Sequence, residues 1–190
     1  GILKRQKMQK DISKLKGHYI VCGGGETGLP LIAELVNNKE SVVLIEQDQK
    51  KIDRCKTIGD IHYIAGDATE DENLIAAGID KAAGTIVCLP SDKDCLYVTM
   101  TARILNRELR IISRMSDRKH EPKLKIAGAD GVVSPNAIGA LRMASEMIRP
   151  TVVDFLDQML RSSQGTLRFN ELALSERGVF SGKTIGESGV

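Results

Sequence analysis

Residues 18–38 read HYIVCGGGETGLPLIAELVNN. An apolar run, 18–23, ends in consecutive glycines. From 27 to 38 the pattern becomes helical, with Leu31, Ile32, Leu35 and Val36 on one side. Pro30 fits because it falls in the first turns, where its missing N–H forfeits no helical bond. Gly23, Gly25 and Gly28 form a G-x-G-x-x-G set between a strand and a helix. Gly23 permits the tight turn, Gly25 offers no side chain to block an approaching group, and Gly28 lets the helix pack close to the strand. The first amides of that helix, aided by its dipole, then face a phosphate. The arrangement is built for the pyrophosphate of an adenine dinucleotide, NAD foremost. The competing reading is a glycine-rich turn with no ligand.

Outward from this unit, apolar runs alternate with amphipathic stretches. Strands are expected at 41–46 (SVVLIE), 61–66 (IHYIAG), 84–89 (GTIVCL), 109–114 (LRIISR) and 131–134 (GVVS). Between them lie helices at 48–58, from a Thr69/Glu72 capping box to Ala77, over about 93–106, and from Pro122 to Ala127. The runs are continuous rather than alternating, so the strands are covered on both faces. Strict strand–helix alternation means right-handed crossovers and a parallel sheet. The expected fold is α/β: a doubly wound, parallel, six-stranded Rossmann-type sheet. Crossover helices and the start of a small C-terminal lobe follow it.

The 190 residues carry 27 Lys and Arg against 25 Asp and Glu, a net charge of +2, so no case arises for nucleic-acid binding by the whole chain. Aromatics are 3% with no Trp, which leaves few platforms for stacking bases. Cys22, Cys55, Cys88 and Cys95 form no C-x-x-C pair, and Cys22 and Cys88 sit in strand-like runs, so they read as buried reduced thiols. Residues 1–17 are strongly basic, either a solvated linker or helix, or a connector beside a membrane-spanning segment. Ser134-Pro135 starts a helix to about Ile148, and 151–162 resume one after Pro150. Its Val152, Val153, Phe155, Leu156, Met159 and Leu160 face either a second copy or the helix's own domain. The tail after 163 looks like the first part of another small domain. With Gly1 in place of an initial Met, the chain reads as a piece of a longer protein.

The carboxyl edge of the sheet is where ligands bind such folds. Glu46, followed by Gln47, ends the second strand, where a carboxylate accepts from the adenosine ribose hydroxyls and repels the 2′-phosphate of NADP. Asp67 and Ala68 follow the third strand; Asp67 either accepts from the adenine amino group or makes a turn. Leu89, Pro90 and Asp92 follow the fourth, and Arg114 ends the fifth, placed for a phosphate or an acidic neighbour. Glu26 and Thr27 lie within the glycine motif, where Glu26 brings a negative charge towards the phosphate. An oxidoreductase needs an acid or base beside the nicotinamide. His18 and His62 open strands at the far edge, His120 sits in a polar loop read as solvated, and Tyr97 has no Lys four residues on. No catalytic residue is therefore assigned.

These features resemble the RCK domain, also called the TrkA-N domain: Gly23-x-Gly25-x-x-Gly28, Glu46, Gly66-Asp67-Ala68-Thr69, Ser91-Asp92, Arg114, and above all Ala127-Gly128-Ala129-Asp130-Gly131-Val132-Val133-Ser134-Pro135. The resemblance spans about residues 18–162 and implies a cytoplasmic regulatory domain of a potassium channel, at the inner face of the membrane. It implies NAD(H), or ADP or ATP, held by Gly23, Gly25, Gly28, Glu46 and Asp67. It also implies a linker from a pore helix (1–17), a Rossmann-type lobe (18–140), crossover helices that pair with a second copy (141–163) and the start of a C-terminal lobe (164–190). Such domains assemble as homodimers into a gating ring of eight beneath a pore that passes potassium. A separate regulatory subunit of a potassium uptake system is the alternative. Calcium-gated relatives place acidic residues after the fifth strand, where this chain has Arg114 and Ser116, so calcium is not supported there. Asp92, Asp94, Asp117 and Glu121 stay available for it elsewhere.

Overall fold

The computed structural model of the chain describes residues 2–161, so the expected C-terminal lobe lies outside the described residues. Six strands, β1 (Tyr19–Cys22), β2 (Val42–Glu46), β3 (His62–Ala65), β4 (Gly84–Val87), β5 (Arg110–Arg114) and β6 (Gly131–Val133), form one sheet in the order β3-β2-β1-β4-β5-β6. Every pairing is parallel. The helices are α1 (Ile2–Ile12), α2 (Gly28–Asn37), α3 (Gln49–Lys56), α4 (Asp71–Ala76), α5 (Asp92–Leu105), α6 (Glu121–Ile126), α7 (Pro135–Ile148) and α8 (Pro150–Arg161). Each strand is one or two residues shorter than its apolar run.

The continuous apolar runs are explained by burial on both sides. Ile20, Cys22, Val43, Ile45, Val87 and Ile111 face one core with Leu74 of α4, Val98 of α5 and Leu124 of α6. Val21, Val42, Leu44 and Cys88 face the other, with Ile32 of α2 and Ile52 of α3. The chain winds one way from β1 to β3 and the other way from β4 to β6. The order therefore reverses beside β1, and the crevice between the β1 and β4 ends opens at the carboxyl edge. All four cysteines are free and buried, as their apolar settings imply.

Two expectations are corrected. The Thr69/Glu72 capping box does not form. Asp67 takes the Thr69 hydroxyl (2.8 Å) and amide (2.9 Å) in a turn, so α4 starts one residue later, with Glu70 in the cap position and no side-chain cap. The basic segment is not merely a solvated linker. Ile12 of α1 is buried, and Met8 and Leu15 pack against the same core as β3 and α4. The chain divides into two compact units, 1–139 and 140 onward, so α1 belongs with the sheet. Within the second unit, Arg142 of α7 makes paired 2.7 Å bonds to Asp157 of α8, which brace the two helices.

Truncating Ile12 tests whether α1 is part of the domain. Ile12→Ala is expected to cost about 3 kcal/mol in urea unfolding. A change below about 0.5 kcal/mol, typical of exposed sites, would return α1 to the status of a solvated linker.

Candidate functional site

A cavity of about 380 Å³ occupies the crevice at the carboxyl edge. The glycine turn forms its floor. Gly23 has φ +103, and a Cβ there would lie 3.0 Å from the Cys88 carbonyl oxygen. A Cβ at Gly28 would lie 1.9 Å from the Gly23 carbonyl oxygen, an impossible approach. A Cβ at Gly25 would meet nothing within 4 Å, because that position faces the open cavity. No side chain caps the start of α2; the Leu29 amide donates to the Gly25 carbonyl at 2.9 Å and Pro30 has no N–H, so of the first turn the Gly28 amide is the one left for a ligand.

The polar groups are arranged around this floor. Glu46 is buried at the end of β2. Its carboxylate accepts from the Gly24 amide at 2.8 Å and from the Asp48 amide at 2.9 Å. Each oxygen keeps a further lone pair for a ligand hydroxyl. Asp67 bounds the cavity, and one oxygen of its carboxylate accepts from the Thr69 amide and hydroxyl in a turn. Opposite, Arg114 donates through one terminal nitrogen to the Leu89 carbonyl at 2.8 Å. Its Nε is buried without a hydrogen-bond partner among the described residues. An unpaired buried donor costs about 1–3 kcal/mol, which an acceptor arriving with a ligand would recover. Glu26 points to solvent, its side chain 92% exposed, and meets Arg54 at 3.6 Å.

Of the residues expected from sequence, Gly23, Gly25, Glu26, Thr27, Glu46, Gln47, Asp67, Ala68, Leu89, Pro90 and Arg114 all line this one cavity. Gly28 lies behind the turn and acts through packing. Asp92 is directed elsewhere: its carboxylate accepts from the amides of Ser116 (2.8 Å) and Asp117 (3.0 Å) and from Nδ1 of His120 (2.7 Å). His120 is therefore not a solvated loop residue but the partner of Asp92, with its side chain 30% exposed. Sequence reading missed Lys51 and Arg54 of α3, which bring two cations to the Glu46 end. Their spacing, one helical turn apart after the second strand, was the available signal. No group of three or more His, Cys, Asp or Glu residues is placed for a metal among the described residues. Asp117 pairs with Lys119 and Glu121 with Lys125 rather than gathering around an ion.

The TrkA-N domain model matches residues 19–135. This chain belongs to the TrkA-N domain family. Probable potassium channel protein 2 of Methanocaldococcus jannaschii is 40% identical over 161 residues, which cover 84% of this chain and 47% of that protein. The chain spans about half the length of the curated relatives it matches. Among solved structures, the GsuK RCK domain is 29% identical with a TM-score of 0.61 over 76% of this chain and 31% of that one. GsuK has also been solved bound to NAD (23% identical, TM-score 0.58, covering 63% of this chain and 22% of that one) and bound to ADP (18%, 0.59, 86% and 50%); these two share the fold.

The TrkA-N motif at 127–130 has a structural basis here. Gly128 has φ +112, and a Cβ there would fall 2.7 Å from the Arg103 side chain. Arg103 donates to the Gly128 carbonyl (2.8 Å) and to Asp130 (2.9 Å), and Asp130 accepts from the Ile111 amide at 2.7 Å. The motif thus locks α5 to the start of β5. It shapes the sheet beside the cavity without lining it.

Asp92 should register in acid. Burial by itself raises its carboxyl, but the hydrogen bonds from His120 and from the Asp117 and Ser116 amides outweigh this and hold it at about 2, below its ordinary 3.8. The stability it contributes is complete above about pH 4 and is lost as pH falls through about 2. Asp92→Asn is expected to lower stability at neutral pH and to flatten the acid limb of a pH–stability curve between these values. An acid limb unchanged by the substitution would show the contact to be energetically silent.

Proposed function

We propose that this chain is a ligand-sensing regulatory domain at the cytoplasmic face of a potassium channel, and that its crevice binds an adenine nucleotide, NAD(H) foremost. One observation carries the nucleotide reading: the open face of Gly25 lies in the same cavity as the buried, unpartnered Nε of Arg114 and the buried Glu46 carboxylate. A pyrophosphate over Gly25 would meet the backbone amides at the turn into α2. The adenosine ribose hydroxyls would donate to Glu46, with the adenine near Asp67 and Ala68. Arg114 would meet the second phosphate or the groups beyond it. The pore half of the proposal is supported by the potassium channel proteins among the relatives.

Nucleotide would act by a shift in population. It favours whichever arrangement of the paired domains binds it better, and by no more than the difference in affinity. Because α1 is packed on the domain core through Met8 and Ile12, with Leu15 just after it, motion of the domain would be passed along it towards a pore. Ile138, Leu141, Met143 and Met147 of α7, and Phe155 and Leu156 of α8, are exposed. They are the surface we assign to pairing with a second copy and, through it, to a ring of eight domains. Regulation is favoured over hydride transfer because the candidate bases do not face the cavity. His18 is bonded to the Ala77 carbonyl at the amino edge, and His120 to Asp92.

Titration calorimetry with NAD, NADH, ADP, ATP and NADP tests the site. NAD or NADH is expected to bind tightest. Gly25→Val should leave the melting temperature unchanged and weaken binding at least about tenfold, as should Arg114→Ala. NADP is expected to be weaker, since Glu46 repels a 2′-phosphate; equal binding would assign the ribose end to Lys51 and Arg54 instead. Binding of ADP or ATP alone would overturn the cofactor, and no binding would overturn the nucleotide site. For the pairing surface, Phe155→Asp is expected to convert a dimer to a monomer in sedimentation; a monomeric parent chain would refute it.

A further inference from the structure

A second cavity, of about 290 Å³, lies outside the nucleotide crevice, between α1 and the free edge of the sheet. Edge strand β3 forms its floor, α1 contributes Arg5, Met8 and Gln9, and α4 contributes Glu72 and Ala76. Its volume is at the lower end of small-ligand sites, roughly 300–1,000 Å³.

Three features define what fits. The side chains of Arg5 and Glu72 supply one cation and one anion, and neither makes an ion pair or hydrogen bond with another described residue. Met8 and Ala76 supply an apolar wall continuous with the core. The strand edge supplies backbone groups. In a parallel ladder alternate residues turn their N–H and C=O to opposite sides. The Gly66 amide bonds inward to the Glu46 carbonyl. Ile64 therefore faces β2 as well, and Tyr63 and Ala65 present their amides and carbonyls outward, to the cavity they line.

We propose that this cavity binds a small amphipathic zwitterion with the chemistry of an apolar α-amino acid. Its carboxylate meets Arg5, its ammonium meets Glu72, and its side chain lies against Met8 and Ala76. The outward groups of Tyr63 and Ala65 take the remaining hydrogen bonds. The site does not depend on the nucleotide reading, but it adjoins the same turn: Asn73, also in its wall, donates to the Asp67 carbonyl at 2.7 Å. An occupant would thus touch both the α1 helix and Asn73, which holds the turn that bounds the nucleotide crevice.

The test is calorimetric titration of the 190-residue chain with L-phenylalanine and L-leucine, first alone and then with NAD in excess. Saturable one-to-one binding is expected in both cases. Arg5→Ala and Glu72→Gln should each weaken it by about tenfold or more, and Gln9→Trp should fill the cavity and abolish it. All three positions are exposed, so the variants are expected to melt with the parent chain. Hydrocinnamate and phenethylamine, each lacking one of the two charges, should bind at least about tenfold more weakly than L-phenylalanine. Absence of saturable binding by either amino acid would overturn the proposal. So would binding that survives the substitutions, or single-charge analogues that bind as well as the zwitterion.

Discussion

The first turn of α2 lies against the end of β1 only because position 28 lacks a Cβ, which would otherwise sit 1.9 Å from the Gly23 carbonyl oxygen. That approach forces Gly23 into a positive φ, where a side chain would also press on the Cys88 carbonyl. The strand, the turn and the helix start are therefore fixed as one piece. The Glu46 carboxylate then ties this piece to the next turn, accepting from Gly24 on one side and Asp48 on the other. Two of the turns that bound the crevice are joined through a single buried side chain. A ligand entering it meets groups already in position and loses little affinity to ordering them.

The strands were legible because burial on both faces leaves no room for polar alternation, so Val-Val-Leu-Ile or Tyr-Ile-Val-Cys can be read directly. The roles of Gly23 and Gly28 were legible for a related reason: each answers a steric demand that the strand–turn–helix context imposes. What escaped was competition between local polar partners. Thr69 and Glu72 have the spacing of a capping box, yet Asp67 sits two residues before Thr69 and takes both its hydroxyl and its amide. His120 looked solvated because its partner, Asp92, is far away in sequence. The docking of α1 was hidden by composition. Among the lysines, Met8, Ile12 and Leu15 recur at helical spacing, a stripe that marks a buried face.

The charges of the crevice show which groups are free to respond to a ligand. Glu46 and Asp67 are negative, but each carboxylate already accepts two hydrogen bonds, Glu46 from the amides of Gly24 and Asp48 and Asp67 from the amide and hydroxyl of Thr69. Glu26 is out in solvent, where an ion pair with Arg54 contributes little. The uncommitted charge is therefore positive, on Lys51, Arg54 and Arg114. The crevice is better matched to phosphate than a count of its acids and bases implies.

Arg114 also bears on how much work one domain can do. Pairing its orphaned Nε with a ligand is worth about 1–3 kcal/mol, and it biases the two arrangements of the domain only as far as one permits the contact and the other does not. Moving a two-state equilibrium from 1:99 to 99:1 takes about 5.5 kcal/mol. A single contact of this kind in a single domain falls short. In the proposed ring the same increment would be gained at every site and summed across the copies that move together, so a modest preference per domain would suffice for a decisive one in the assembly. On the proposed reading the site needs no large rearrangement around its ligand. It needs a rigid glycine turn, one donor left unsatisfied, and a helix such as α1 packed firmly enough to carry the difference outward.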